Sequence, residues 1–270
     1  MTAEPTHPER ALRVVLLCDD EPFEIPPAVE RIIRALPGWA FTVVSLPGHA
    51  SFKETKVNLR RYLGLYGPFG FAVRAFQMLA LKATARLGLP AGRPHSLRQA
   101  ASRSGAEFAS LDRINSPAGR AFLENLAPDV IVSIACPQIL RRKVLAIPRI
   151  CALNLHSALL PDNRGMLPTF WSLAADPPRA GVTLHLMTPE LDGGEILLQR
   201  EIPVSREEVS LHDLIHQAKR KGADLVVEGL RIVAEGGFRT LPNPPDSGSR
   251  NGFPTRRDVI AFRRKGGRIW

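Results

Sequence analysis

The sequence predicts an α/β fold with a Rossmann-like, mostly parallel twisted sheet and helices on both faces. Three observations lead to this prediction. Short apolar runs typical of buried parallel strands recur along the 270 residues. Amphipathic helical patterns lie between these runs. The chain also opens with a strand, a helix and a second strand, a unit whose crossover is right-handed in nearly all proteins.

The opening unit is delimited by its turn residues. Residues 14–18 form the first apolar run and residues 41–46 form the second. Between them, two prolines at 26–27 begin a helical pattern, and Pro37 and Gly38 end it. We therefore expect a βαβ unit at the start of the chain.

The alternation continues through the middle of the chain. We expect the apolar run at residues 129–135 to form a buried strand. We predict further strands at residues 107–111, 151–156, 181–187 and 195–203, and helices at residues 96–103, 117–126, 169–174 and 211–234.

One segment, residues 51–92, interrupts this rhythm. We expect a helical insertion, with an amphipathic or nearly buried helix over residues 69–87 that Gly88 and Pro90 end. The insertion could form a lid, or a surface for a second subunit in a homo-oligomer, and the sequence leaves both open. The organisation is one domain at residues 11–240 and a C-terminal surface tail at residues 241–270, anchored by Phe253, Ile260, Phe262 and Trp270.

Cysteine usage and hydropathy exclude several classes of protein. Cys18, Cys136 and Cys151 are scattered without a CxxC pair, which argues against a disulfide scaffold and a structural metal site. The longest apolar stretch, residues 69–81, is shorter than the roughly 20 residues that a membrane span requires. The polar residues 1–10 do not resemble a signal peptide. We expect a cytoplasmic protein with no membrane partner and no metal.

The net charge of +10 is spread along the chain in small clusters. Lysine and arginine clusters attract phosphate, but no predicted helix carries a continuous basic face interleaved with aromatic residues. We therefore do not expect nucleic acid as a partner. A non-catalytic, basic RNA-binding protein with this fold remains the alternative from another functional class, and an anionic small substrate would profit from the same charge.

The residues that indicate chemistry follow the strand at 151–156. Asn154 and His156 are two apart, so their side chains point to one face at the carboxyl end of a strand, where α/β proteins form their sites. Asp192 precedes two glycines in a tight turn. Ser157 has no GxSxG setting that would make it a nucleophile.

These three residue types fit acyl transfer to an amine. Histidine can accept the proton of the attacking amine near neutral pH. An amide such as that of Asn154 can stabilise the oxyanion, and a carboxylate such as Asp192 can orient the imidazole and favour its charged form. Each residue also has a structural interpretation, as a buried histidine, a turn-forming aspartate or an asparagine that caps a strand.

The combined pattern resembles a known family. Asn-x-His is followed by Leu-Leu-Pro and Arg-Gly, with Gly-Val-Thr and Leu-Asp-x-Gly downstream. This pattern is similar to that of the 10-formyltetrahydrofolate-dependent formyltransferases, which include glycinamide ribonucleotide, methionyl-tRNA and amino-sugar formyltransferases. The resemblance is dense over residues 128–203 and thinner back to residue 13.

The resemblance implies a catalytic trio of Asn154, His156 and Asp192 within a formyltransferase domain at residues 11–240. It also implies 10-formyltetrahydrofolate as formyl donor and a small-molecule amine as acceptor. The positions that match the pterin pocket are Gln138, Ile139, Leu140, Leu145, Leu191 and Gly193. Ordinary core packing is the alternative interpretation for the apolar members of this set.

The acceptor is suggested by departures from the family pattern. Asp19, Asp20 and Glu21 follow the first strand, where members that act on glycinamide ribonucleotide have a phosphate loop, and acidic side chains would repel phosphate. The tail is too short for the C-terminal domain of the methionyl-tRNA members. Arg-Gly-x-x-Pro-x-x-Trp at residues 164–171 resembles the amino-sugar members. We expect a nucleotide-linked amino sugar, with a methionyl-tRNA formyltransferase-like enzyme or a 10-formyltetrahydrofolate hydrolase as alternatives.

Overall fold

The structure is a computed structural model that describes residues 10–47, 52–89 and 92–270. Its strands are β1 (Arg13–Cys18), β2 (Ala40–Ser45), β3 (Glu107–Ser110), β4 (Val130–Ile134), β5 (Cys151–His156), β6 (Arg164–Gly165), β7 (Ala180–Leu186), β8 (Ile196–Ile202) and β9 (Arg250–Asn251). Its helices are α1 (Ile25–Ala35), α2 (Phe52–Arg86), α3 (Leu97–Ser104), α4 (Pro117–Leu126), α5 (Arg142–Leu145), α6 (Pro168–Ala174), α7 (Leu211–Glu235) and α8 (Arg256–Arg264).

The main sheet has seven strands in the order β3-β2-β1-β4-β5-β7-β8. The pairings from β3 to β5 are parallel, whereas β7 pairs antiparallel with both β5 and β8. The prediction of a mostly parallel sheet is confirmed. The strand order reverses between β1 and β4, and the carboxyl ends of strands at such a reversal form the crevice in which α/β proteins bind ligands.

Two apolar cores lie on opposite faces of the sheet, because successive side chains of a strand point to opposite sides. Val14 and Leu16 of β1 belong to one core, together with apolar residues of α1, α3 and α7. Val15 and Leu17 belong to the other, together with Leu123 of α4 and Val144 of α5. The prediction of helices on both faces is confirmed.

The long helix α2 differs from its prediction. It begins at Phe52 and has a kink at Gly67, where φ is +74°, immediately before Pro68. A helix was expected at residues 69–87, either amphipathic or nearly buried; the nearly buried alternative is wrong, because Phe69 is 83% and Phe76 is 73% exposed. An apolar composition predicts that something covers a helix, but no described element of this chain covers that face. Pro90, which was expected to end the helix, lies outside the described residues.

The C-terminal segment packs more deeply than a surface tail. Helix α8 begins with a capping box formed by Thr255 and Asp258, and its Phe262 is only 1% exposed. Phe253 is half-buried, whereas Ile260 and Trp270 remain exposed. Residues of this segment join the same core as α1 and α7, so they help to position the elements that carry the site.

No helix among the described residues is both long enough and apolar enough to cross a membrane.

Candidate active site

Strand β5 positions two of the three residues expected to be catalytic. It lies between β4 and β7, and it ends at His156. Asn154 and His156 are two residues apart, and both side chains reach Asp192. Leu155, which lies between them, instead packs into the core against α7, where a side chain at Gly222 would collide with it.

Asp192 reaches β5 because of an unusually tight turn. Its own φ is +49°, and a β-carbon at Gly194 would lie 1.8 Å from the carbonyl oxygen of Leu186. Only glycine therefore allows the loop to return this close to the end of β7. The Oδ2 atom of Asp192 accepts a 2.8 Å hydrogen bond from the backbone N–H of Gly165, which fixes the carboxylate in place.

The other carboxylate oxygen of Asp192 faces the side chains of β5 and β7. Its Oδ1 atom lies 3.4 Å from Nδ2 of Asn154 and 3.7 Å from Nδ1 of His156. It also lies 3.8 Å from Nε2 of His185. The structure thus brings Asn154, His156 and Asp192 together around one oxygen atom, with His185 as a fourth member.

The protonation of His156 follows from its hydrogen bond. Its Nε2 atom lies 2.9 Å from the carbonyl oxygen of Asn163, which can only accept, so Nε2 carries a proton. Burial lowers the pKa of this imidazole below 6.5, and the opposing charge of Asp192 does not compensate. At neutral pH the Nδ1 atom is therefore an unprotonated base that faces a carboxylate. Asp192 was expected to favour the charged form; it does so only in part, because burial outweighs it.

Burial acts on Asp192 as well, but its net effect differs. Burial alone would raise the pKa of this carboxyl, yet the imidazoles of His185 and His156 and the N–H of Gly165 outweigh burial. The pKa of Asp192 therefore lies below its usual value, and this residue is a carboxylate at neutral pH. When His156 accepts a proton, the resulting imidazolium lies beside this fixed negative charge.

Sequence reasoning missed His185. This residue is 2% exposed and lies directly opposite Asn154 in the antiparallel pairing of β5 with β7. Its Nδ1 atom donates to the carbonyl oxygen of Leu186 at 2.8 Å, so its Nε2 atom can accept from Nδ2 of Asn154 at 3.1 Å. The available signal was the alternation Thr183-x-His185 in the predicted strand, but it indicates a contact only once β7 is known to pair with β5.

Asn154 is therefore already engaged through both hydrogens of its amide. One points to Nε2 of His185, and the other points to Asp192 over a longer distance. An oxyanion would have to replace one of these partners, and the longer bond to Asp192 is the weaker one. His185 holds the amide in orientation, and its second hydrogen, which is only weakly bonded to Asp192, is available to a ligand oxygen.

A cleft opens beside the trio between the segment after β4 and the loop that precedes Asp192. It has a volume of about 170 Å³, and Asn154, His185 and Asp192 form its inner wall. Four residues expected in a pterin pocket line it: Gln138, Ile139, Leu140 and Leu191. Typical ligand pockets hold about 300–1,000 Å³, so this cleft suits one fused ring rather than a whole cofactor.

Not every expected pocket residue lines the cleft. Leu145, the last residue of α5, packs instead against the core that contains Val144. Gly193 lies in the turn next to the cleft and is not part of its lining. The side chain of Gln138 bonds three backbone groups, at Pro47, Asp112 and Ile114, so only its backbone remains available to a ligand.

The acidic segment after β1 is less free than its composition suggests. Asp20 accepts the N–H of Leu97 at the start of α3, and Glu21 accepts backbone N–H groups at the start of α1. These two carboxylates are helix caps, which corrects the idea that all three face an acceptor. Asp19 remains, and burial together with Glu21 raises its pKa above the usual value. Asp19 comes directly after β1, and Cys136 comes just after the neighbouring strand β4. Both residues therefore lie where the strand order reverses.

A lysine that sequence reasoning passed over approaches from α7. Its Nζ atom, in Lys219, lies 3.3 Å from Oγ of Ser157, the residue next to His156. Burial lowers the pKa of Lys219, and the charge of Glu21 opposes that effect. Lys219 therefore brings an amine to the hydroxyl group of the residue that follows His156.

The C-terminal segment braces both loops of the site. Arg164 is fully buried and donates to Oδ1 of Asn243 at 2.6 Å and to the carbonyl oxygens of Pro244 and Pro245. Asn243 in turn donates to the carbonyl oxygens of Asp192 and Gly194 at 2.9 and 2.8 Å.

Burial of the cysteines makes them poor nucleophiles, since it raises the pKa values to about 11 at Cys136 and about 12 at Cys151.

Among the described residues, no group of three or more histidine, cysteine, aspartate or glutamate side chains is arranged to hold a metal ion.

In comparisons with known proteins, both the family model and the curated relatives that match this chain are formyltransferases. The sequence profile described as "Formyl transferase" matches residues 96–230, which is half of the chain. A methionyl-tRNA formyltransferase of Halorhodospira halophila is 38% identical over 164 residues, which cover 58% of this chain and 52% of that protein. The chain thus spans about half the length of the curated relatives that it matches.

Solved structures share the fold at lower sequence identity. Glycinamide ribonucleotide transformylase 1 of Symbiobacterium toebii has a TM-score of 0.60 and 18% identity, covering 89% of this chain and 99% of that one. A sugar N-formyltransferase of a Shewanella species has a TM-score of 0.58 and 17% identity, covering 93% and 86%. At these identities the likeness concerns the fold.

Proposed function

This chain belongs to the formyl transferase family, and from that premise we propose that it transfers a formyl group from 10-formyltetrahydrofolate to an amine of a small molecule. The observation that carries the proposal is the convergence of Asn154, His156 and Asp192 around one carboxylate oxygen, beside a cleft that Asn154 and Asp192 line. A neutral base, a fixed carboxylate and an amide donor are the groups that acyl transfer to an amine requires.

His156 would act as the base. Its Nδ1 atom is unprotonated at neutral pH, because Nε2 carries the proton that bonds Asn163 and burial lowers the pKa. As the nitrogen of the amine forms its bond to the formyl carbon, Nδ1 would accept the proton that the amine loses, and the resulting imidazolium would lie 3.7 Å from the carboxylate of Asp192. When the bond between the formyl carbon and the donor nitrogen breaks, the imidazolium would give the proton to that nitrogen. The fixed charge therefore stabilises the state in which the proton has moved, which is the state that must be favoured for catalysis.

Asn154 would hold the oxyanion. Its bond to His185 keeps the amide oriented, and the hydrogen that points to Asp192 over 3.4 Å is bonded weakly enough to be shared with an oxygen that gains charge beside it. Donors that are already positioned cost no reorganisation during the reaction, and removal of one such donor typically costs about 10²–10³ in rate. His185 is thus a positioning residue for Asn154.

The ring system of the formyl donor, rather than the whole cofactor, suits the cleft on physical grounds. The apolar side chains of Ile139 and Leu191 are 72% and 50% exposed at the cleft, so a flat aromatic ring would remove apolar surface from water. Because the side chain of Gln138 is occupied, the polar ring edge would meet backbone groups. The cofactor would supply the activated formyl group.

For the acceptor we propose a nucleotide-linked amino sugar. Asp19 is the acidic residue of the β1 segment whose carboxylate does not cap a helix, and it lies in the crevice where the strand order reverses. Its carboxyl group could receive a cationic amine or a sugar hydroxyl. The second candidate is methionyl-tRNA, because curated relatives that are 38% and 40% identical to this chain are named methionyl-tRNA formyltransferase.

The test is a competition between acceptors. Purified protein would be incubated with 10-formyltetrahydrofolate and equal concentrations of a nucleotide-linked amino sugar, glycinamide ribonucleotide and charged methionyl-tRNA. Mass spectrometry should find the mass gain of one formyl group chiefly on the sugar amine. Preference for the tRNA would favour the second candidate.

Two controls separate transfer from other outcomes. His156→Ala should abolish the product, whereas His216→Ala, an exposed imidazole on α7, should not. Release of formate without any amine present would identify a hydrolase instead.

A further inference from the structure

The second half of α2 carries an apolar face that no described element covers. Phe69 is 83% exposed, Phe76 73%, Leu79 69% and Leu87 71%. They follow one another at intervals of seven, three and eight residues, which puts them on one side of the helix. We call the set of these four residues the α2 apolar face. Monomeric soluble proteins rarely expose a contiguous patch of this kind without a use for it.

The chain segment that contains this face carries charge of one sign. Residues 57–106 contain eight lysine or arginine residues and no aspartate or glutamate. Arg60, Lys82 and Arg86 of α2 are exposed. This composition selects for a negatively charged partner, and it opposes pairing with a second copy, because any contact of this segment with itself would bring positive charges together.

Helix α8 extends the basic surface beside α2. A β-carbon at Gly64 would lie 3.9 Å from Cβ of Arg256, and Trp270 stacks on Tyr66 with a centroid separation of 5.2 Å. Trp270 is still 44% exposed. The exposed basic residues of α8 are Arg256, Arg257, Arg263 and Arg264. Tryptophan and arginine around an apolar helix face are typical of helices that lie in a membrane interface.

The helix is also anchored to the body of the protein in a way that presents this face outward. The guanidinium of Arg74 lies 3.2 Å from the ring centroid of Phe23, and the stack of Tyr66 with Trp270 holds the other end. The apolar side is opposite these contacts. Nucleic acid could satisfy the positive charge, but its phosphates would leave the phenylalanine and leucine side chains in water.

We propose that the α2 apolar face docks on the surface of an anionic lipid bilayer. Phe69, Phe76 and Leu79 enter the boundary between headgroups and acyl chains, and the basic residues of α2 and α8 contact anionic headgroups. The helix lies in the plane of the interface and does not cross the bilayer. This departs from the expectation, drawn from hydropathy alone, that no membrane is involved, because surface docking needs a helix face rather than a span.

The test is flotation of the full chain with lipid vesicles. Vesicles that mix phosphatidylglycerol with phosphatidylcholine should carry the protein upward. The amount of protein that floats with pure phosphatidylcholine vesicles should be smaller by a factor of about ten or more. Phe76→Gln combined with Leu79→Gln should lower the anionic partition coefficient about tenfold or more. Leu241→Gln is the matched control, because Leu241 is 63% exposed far along the chain and should not matter. Arg60→Gln with Arg256→Gln should weaken binding and reduce its dependence on salt.

Several results would overturn the proposal. Equal binding of the Phe76/Leu79 variant and the wild type, with both folded by circular dichroism, would exclude insertion of this face. Light scattering that shows a dimer in the wild type and a monomer in that variant would assign the face to a second copy. Retention of RNA, with no flotation of the wild type on anionic vesicles, would assign the charge to nucleic acid.

Discussion

Replacement of Asp192 by asparagine removes the charge at the centre of the site while it preserves the shape of the side chain. The variant can still accept the N–H of Gly165, which now bonds the Oδ2 atom at 2.8 Å. What disappears is the negative charge 3.7 Å from Nδ1 of His156. The site would then lack the group that stabilises an imidazolium.

The size of the effect follows from that distance. Two unit charges about 4 Å apart interact by about 4 kcal/mol at the effective dielectric constant that suits protein sites. Rearrangement of the amide and water recovers part of this energy, so we expect a loss of about 3–4 kcal/mol. Since each 1.36 kcal/mol is a factor of ten, turnover should fall by about 10²–10³. Folate affinity should change little, because the cleft lining is otherwise intact.

The pH dependence gives an independent check with a definite sign. The pKa of His156 already lies below 6.5, because burial outweighs Asp192. The base is active when neutral, so the rate falls as the pH drops through the pKa of the folded protein. Removal of Asp192 removes the influence that raises this pKa, so the acid limb of the profile should move to lower pH.

The assay is the rate of tetrahydrofolate release with a saturating amine acceptor, measured from mildly acid to neutral pH, with folate affinity from a separate binding titration. A variant rate within a factor of about three of the wild type would refute the role of the charge. So would an acid limb that moves to higher pH. If folate affinity alone changed, Asp192 would be a loop-forming residue and not a partner of His156.

Three further predictions concern other parts of the site. His156→Ala should retain folate binding while turnover falls about 10² or more, and near wild-type transfer would exclude the base. Arg164→Met should lower the free energy of unfolding by about 3 kcal/mol or more in urea titrations, because the buried Oδ1 atom of Asn243 and partly buried carbonyl oxygens lose their donor. Replacement of the exposed Arg250 by methionine should cost well under 1 kcal/mol. Gly194→Ala should reduce both stability and turnover, since its β-carbon would collide with the carbonyl of Leu186; an unchanged melting temperature and rate would contradict the tight turn.

The sheet could be predicted because its strands are apolar runs with clear boundaries. The predicted run at 129–135 is the buried strand β4, and the predicted helix at 117–126 is α4. What the pattern could not reveal is the direction of β7, because a buried strand has the same composition whether it pairs parallel or antiparallel. That direction is what brings His185 opposite Asn154.

The site was predictable where residues lie close in sequence and not where distant loops meet. Asn154 and His156 share a strand face by simple alternation. The bracing of the Asp192 loop by Asn243, and of Asn243 by Arg164, joins segments that are about fifty or more residues apart through side-chain bonds to backbone carbonyls. Such bonds have no periodic signature, so composition suggested only a surface tail.

The most direct test of the central claim follows the formyl group itself. The protein would be incubated with 10-formyltetrahydrofolate labelled in the formyl carbon and with a nucleotide-linked amino sugar, with His156→Ala in parallel. Our account predicts that the label appears as a formamide on the sugar with one equivalent of tetrahydrofolate, and that the variant forms about a hundredth as much or less. Label that stays on the folate, or equal product from the variant, would contradict formyl transfer by Asn154, His156 and Asp192.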